Sequence, residues 1–180
     1  RFNSPPMHPW AHQFDYRGDR PHRRLTFTGD WAPVWLYEEV YCRSPLAIYG
    51  DLLPLLRDSD LNLVNVETAI SERGAPIAKN GPCIIVPPTV VPPMTEVPFH
   101  VACLANNHTL DFGAEALSDT LEHLRGAGIH PTGAGMTEAE VKRPLELSVG
   151  EEQIVIINCG EGEACASIGG DPGVWRYELR

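Results

Sequence analysis

The chain has no apolar run approaching the ~20 residues that a membrane-crossing helix needs, so no transmembrane segment is expected in it. It shows no signal peptide either, and opens on Arg1. A leader or anchor, and with it an association with the cell envelope, is expected only from segments outside this sequence. Basic residues are in the minority, 14 Lys and Arg against 24 Asp and Glu, for a net charge of -10. Residues 1–24 hold five Arg against Asp15 and Asp19, a local excess of +3, which leaves -13 on the remainder. That excludes a nucleic-acid-binding face on the main body. The five cysteines are odd in number and form no C-x-x-C pair, which argues against a disulfide framework or a zinc knuckle. Histidine stops at His130, and no internal repeat is present.

With 180 residues, 43% hydrophobic and 21% charged, the chain is long enough for one domain with a real core. Residues 1–24, rich in Pro, His and Arg without periodicity, read as a basic arm or linker that could touch an acidic polymer or lipid headgroups. Residues 25–180 read as the domain. Cys103 and Cys159 read as small residues of apolar strands.

Alternating strand and helix signals follow the arm. Leu25 to Thr28 alternates as a strand and ends at Gly29-Asp30; standing alone, Asp30 there is more readily a turn residue. The aromatic-rich stretch 31–47 reads as a loop or short helix that lines a cleft or packs ordinarily. Tyr49-Gly50-Asp51 opens a short helix through Leu56, with Pro54 in its first turn. Leu61 to Val66 is a buried-looking strand ending in Asn65 and Glu67, which share a face because they lie two apart.

Seven prolines between Pro76 and Pro98 predict a long, extended surface excursion without helix or central strand, Ile84-Ile85-Val86 being at most an edge strand. A helix is predicted from about Ala114 to Arg125, with Leu117, Leu121 and Leu124 on one face and His123 off it. Gly126 and Gly128 end it. Ile129 to Thr132 reads as a strand running into a Gly133-Ala134-Gly135 turn. Thr137 to Glu140 fits a capping box, and Leu145–Val149 with Gln153–Asn158 a hairpin. A new helix is expected to begin at Trp175.

The chemistry concentrates after the apolar run Phe99 to Leu104. The loop Ala105-Asn106-Asn107-His108-Thr109-Leu110-Asp111 presents two carboxamides, an imidazole and a carboxylate between a strand and a helix. His108 titrates nearest neutral pH, so it can bind a metal or pass a proton, and Asp111 could fix its tautomer. Equally, Asn-Asn pairs suit turns, and Asp111 could merely cap the next helix. In a parallel sheet the strand exits share one edge, so Asp30, Glu67 and Asn107–His108 could converge. Such an oxygen and nitrogen donor set suits Mn²⁺, Fe or Zn²⁺.

Gly29-Asp30, Tyr49-Gly50-Asp51, Asn65-Val66-Glu67, Ala105-Asn106-Asn107-His108, Asp111-Phe112-Gly113, Thr120-Leu121 and Gly133-Ala134-Gly135 occur in an order and spacing that resemble a known family. They look like the bacterial poly-γ-glutamate capsule synthesis proteins of the CapA type, within the calcineurin-like metallophosphoesterase superfamily. The resemblance covers about residues 24–160. It implies an α/β sandwich of which this chain is an N-terminal portion, with the domain over 25–180 incomplete. It also implies two divalent metal ions, Asp30, Glu67 and Asn107 as metal ligands, His108 as the catalytic histidine and Asp111 as its support. Two departures weaken the site: Trp31-Ala32 stands where the superfamily completes Asp-x-His, and no histidine follows His130. The resemblance implies a metal-dependent hydrolase acting on a polyanionic polymer or phosphoester, or else a non-catalytic scaffold or polymer-binding subunit of a capsule synthesis complex.

Overall fold

The computed structural model describes residues 22–161 and 171–177. Most of the basic arm, Cys165 and the last three residues therefore lie outside the described residues. The fold is α/β. Strand β1 (Leu25–Trp31) leads through α1 (Leu36–Arg43), α2 (Pro45–Tyr49) and α3 (Leu52–Arg57) to β2 (Leu61–Val66). Two short strands follow, β3 (Ala69–Ile70) and β4 (Ile85–Val86), then helix α4 (Val91–Glu96) and β5 (Val101–Cys103). Helix α5 (Gly113–Gly126) leads to β6 (His130–Thr132), β7 (Ala134–Gly135), α6 (Glu138–Val141) and the antiparallel pair β8 (Leu145–Val149) and β9 (Glu152–Ile156). Three two-residue strands complete the chain: β10 (Gly160–Glu161), β11 (Gly173–Val174) and β12 (Arg176–Tyr177).

The main sheet has the order β1-β2-β5-β6 and is parallel throughout. Strand β2 explains why its sequence is so continuously apolar: it is covered on both faces. Val64 and Val66 face a core that includes Leu117, Leu121 and Leu124 of α5, while Leu61 and Leu63 face Val149 and the β8–β9 hairpin. The predicted stripe on α5 is thus its buried face, and Gly128 takes the positive φ of 76° beyond its end. The hairpin, the α3 helix and the capped α6 helix form where the sequence places them, with Thr137 Oγ1 accepting from Glu140 N at 3.3 Å.

Three expectations fail, each for a local reason. The proline-rich segment is not a surface excursion throughout: its second half turns helical at α4, because Pro92 and Pro93 occupy the first turn where no amide donor is needed. Val86, Val90, Met94 and Val97 of this segment are buried in the main core. No helix begins at Trp175. Its amide donates to Gly133 O and its carbonyl accepts from Gly160 N, both at 2.8 Å, so the chain is held extended as β11 and β12. Cys159 is exposed and follows β9, whereas Cys103 does sit in β5. The 31–47 stretch, finally, is helical from Leu36 and divided: Trp31 and Tyr41 are buried and join Tyr49 and Phe99 in a chain of edge-to-face rings 5.6–6.4 Å apart, whereas Trp35, Leu36, Tyr37 and Val40 are exposed.

Candidate functional site

Because all strands of the main sheet run the same way, their C-terminal ends meet along one edge. Asp30, next to last in β1, pairs opposite Asn65 of β2. The β1–β2 register slips between Phe27 and Asp30, and the Thr28 hydroxyl donates to Leu63 O at 3.1 Å across the slip. Such irregularities re-aim the side chains that follow them. Asp30 Oδ1 accepts from Asn65 Nδ2 at 2.7 Å, and Glu67 N donates to Trp31 O at 3.1 Å. The Asp30 and Glu67 carboxyls lie near enough to act on one another. Burial first, then the adjacent Asp30 charge, raise the Glu67 carboxyl above its ordinary value, with His108 and Lys79 pulling the other way.

The loop after β5 is fixed from within by Asn106. Its Nδ2 donates to Asn65 Oδ1 at 3.1 Å and to Val66 O at 2.9 Å. Its Oδ1 accepts from His108 N at 3.0 Å and from the Thr109 hydroxyl at 3.2 Å. The carboxamide thus satisfies both of its ends and ties the β5 exit to the β2 exit. From below, Asn158 Oδ1 accepts from Ala105 N at 2.8 Å. A Cβ at Gly133, whose φ is +85°, would collide with that same Asn158 oxygen. The Gly133 position therefore serves a close approach of the chain to itself rather than to a ligand.

His108 is nearly buried and Asp111 wholly so. Asp111 Oδ2 lies 2.7 Å from His108 Nδ1 and accepts from Ile84 N at 2.6 Å, while Oδ1 accepts from Lys79 Nζ. A carboxylate can only accept here, so Nδ1 carries the proton and Nε2 is the nitrogen left for other chemistry. Helix α5 begins at Gly113 after Phe112 with no side-chain cap, so Asp111 holds the imidazole instead of capping the helix. It also anchors the proline-rich segment, whose Ile77 N donates to Asp111 O at 2.9 Å. Thr120, another residue of the motif set, fastens α5 to β3 by accepting from Ile70 N at 2.9 Å.

The structure thus brings Asp30 beside Glu67, and His108 beside Asp111, along one edge. Asn107 is different. Its side chain is exposed, and its backbone carbonyl accepts from Lys79 Nζ at 2.9 Å. Sequence reading missed Lys79, whose ammonium also lies 3.3 Å from His108 Nδ1. No spacing rule links a lysine in a proline-rich loop to a histidine 29 positions later. Asn65 and Asn106 were visible as polar strand-end residues, but their bracing role was not.

Asp30 and Glu67 are two hard oxygen donors of the type that divalent cations take, and their proximity raises the Glu67 carboxyl. They do not supply a complete two-ion shell: among the described residues no cluster of three or more His, Cys, Asp or Glu could hold a metal.

Comparison with known proteins agrees with the motif set. The family model "Bacterial capsule synthesis protein PGA_cap" matches residues 24–179. A "probable polyglutamine synthesis accessory protein" of Mycobacterium tuberculosis, found in strains CDC 1551 and H37Rv, is 37% identical over 155 residues, 79% of this chain and 41% of that protein. An uncharacterized protein of Sinorhizobium fredii is 29% identical over 129 residues, 69% of this chain and 28% of that protein. The chain therefore spans less than half the length of these relatives. On the extent of the family match, the chain belongs to the bacterial capsule synthesis PGA_cap family.

Proposed function

We propose that this chain contributes to poly-γ-glutamate capsule synthesis through a metal-dependent hydrolase site at the C-terminal edge of its sheet. The observation that carries the reading is the pairing of two carboxyls, Asp30 and Glu67, with an imidazole whose tautomer is fixed by Asp111. Asp30 and Glu67 would hold a divalent ion, with the Asn107 carboxamide a further oxygen donor. Such an ion, when bound, polarises an ester or amide oxygen and lowers the pKa of water. His108 Nε2 would take a proton from the attacking water and pass it to the departing oxygen or nitrogen, Nδ1 being committed to Asp111. Donors for a second ion would come from outside the described residues. The calcineurin-like sandwich belongs to the same proposal, supported by a parallel sheet enclosed between helices and the β8–β9 hairpin.

The substrate class is a polyanionic polymer or a phosphoester. A net charge of -10 repels such a ligand, so the cation or the basic arm must mediate the contact. The relatives' name supports membership of a synthesis complex. A second reading, a non-catalytic scaffold or polymer-binding subunit, is favoured by the lack of a third clustered donor among the described residues.

Metal content separates the two. This chain and its Glu67→Ala variant are compared by mass spectrometry before and after Mn²⁺ loading. Bound metal that falls sharply in the variant supports the hydrolase reading and warrants a screen of phosphoesters and γ-glutamyl peptides. No bound metal in either sinks it in favour of the scaffold.

A further inference from the structure

Lys79 lies in the loop between β3 and β4, and its side chain is only 11% exposed. Burying an ammonium is costly unless its donors find acceptors. Two of them do: Nζ donates to Asn107 O at 2.9 Å and to Asp111 Oδ1. The Asn107 carbonyl belongs to the peptide that joins Asn107 to His108. The other end of that same peptide, His108 N, donates to Asn106 Oδ1 at 3.0 Å. A peptide is planar, so holding both its oxygen and its nitrogen fixes the two Cα atoms from which the Asn107 carboxamide and the His108 imidazole depart. Lys79 therefore bonds to both anchors of the histidine, the carbonyl that precedes it and the carboxylate that takes its ring N–H. The loop that carries Lys79 is closed by other means. Ile77 N and Ile84 N donate to Asp111 O and Oδ2 at 2.9 and 2.6 Å, and the Cys83 thiol donates to Ile77 O at 3.5 Å. Gly74, at a φ of +91°, packs so closely on Phe112 that a Cβ there would collide with Phe112 O.

We propose that Lys79 is a positioning residue of the site: its ammonium pins the Asn107–His108 peptide, so that the carboxamide and the imidazole keep fixed places at the sheet edge that carries Asp30 and Glu67. The use made of those two side chains rests on the hydrolase reading; the pinning itself does not. Two other roles fit less well. An ion pair kept for stability alone has no need of the bond to Asn107 O, and a buried pair is weak evidence of stabilisation. Direct capture of an anionic ligand would draw on an ammonium that already spends two of its three N–H donors within the chain.

Lys79→Met keeps the apolar stem and deletes the ammonium, which sets charge against position. The Lys79 charge acts on Glu67, so its loss alone strengthens the binding of a cation, whereas a freed Asn107 carboxamide weakens it. Mn²⁺ titration of this chain, with the free ion followed by electron paramagnetic resonance, should show binding weaker by about threefold or more in Lys79→Met, as expected for residues in contact. Adding Lys79→Met to Asn107→Ala should weaken it no further. A second readout needs no metal. Backbone ¹⁵N relaxation should give Asn107 and His108 order parameters of about 0.85 in the wild type and below about 0.6 in Lys79→Met, with the Ile77 and Ile84 amides still protected from exchange. Unchanged order at 107–108, equal or tighter Mn²⁺ binding in Lys79→Met, or the same loss in the Asn107→Ala background overturns the proposal. If the wild type binds no Mn²⁺, the hydrolase reading falls and the order parameters alone decide the pinning. Should circular dichroism show Lys79→Met unfolded, Lys79→Ala, which admits water to Asp111, carries the same measurements.

Discussion

Asp111 and the Asp30–Glu67 pair lie along the same sheet edge and carry the same functional group, yet their surroundings differ. Asp111 is 0% exposed, and its carboxylate accepts from Lys79, His108 and Ile84. Its charge is fully answered within the chain. Asp30 is exposed, Glu67 is half-buried, and each has the other carboxyl for a neighbour. The first arrangement spends its interactions on fixing the imidazole and the proline-rich segment. The second sets two carboxyls against each other, with His108 and Lys79 offsetting only part of their charge. A polar edge can thus be rigid in one half and receptive in the other, and the two halves should respond oppositely to mutation.

The largest effect is expected at Asp111. Asp111→Ala removes the charged partner of the nearly buried Lys79 ammonium and strands an imidazole N–H and the Ile84 amide, and should cost about 3–5 kcal/mol in urea unfolding. A cost near zero would break the contrast. Next in size, Asn65→Ala removes the donor to Asp30 and the acceptor for Asn106, a loss of about 1–2 kcal/mol by the same assay.

Glu67→Gln should behave the other way. Because the folded state raises its carboxyl, the stability Glu67 contributes is fully present below the ordinary carboxylate range and is lost as pH rises through the raised value. The variant should therefore gain on wild type as pH rises from the ordinary carboxylate range through the raised value. A wild-type stability profile that matches the variant's across that window would remove the evidence for repulsion.

The smallest effect is expected at the periphery. Arg73 and Ser71 hold the Asp119 carboxyl down to about 2, so its contribution is present above the ordinary carboxylate range and lost as pH falls towards that value. Asp119→Asn should change stability at neutral pH by less than about 1 kcal/mol, because Arg73 is well exposed. It serves as the surface reference for Asp111 and Glu67.

Much of this was legible in the sequence. Strand ends at Asp30, Glu67 and Asn106–His108 follow from apolar runs that stop at polar residues, and a parallel sheet puts them on one edge. The α5 stripe was equally plain from Leu117, Leu121 and Leu124. What escaped depends on contacts between distant segments. Pro92 and Pro93 look like helix breakers until their first-turn position is known. Trp175 begins a helix-like pattern, but its pairing with Gly133 and Gly160 decides its conformation. Lys79 becomes part of the site only because Asp111 draws its loop inward.

The central claim is that Asp30 and Glu67 form a cation site. Its most direct test is a Mn²⁺ titration of this chain, followed by electron paramagnetic resonance of the free ion, on wild type and Glu67→Gln at a pH where Glu67 is ionised. Saturable binding that weakens by about tenfold or more in the variant, a loss of at least ~1.4 kcal/mol, with the urea midpoint maintained, is the predicted result. Equal binding in the two proteins, or none in the wild type, would contradict it.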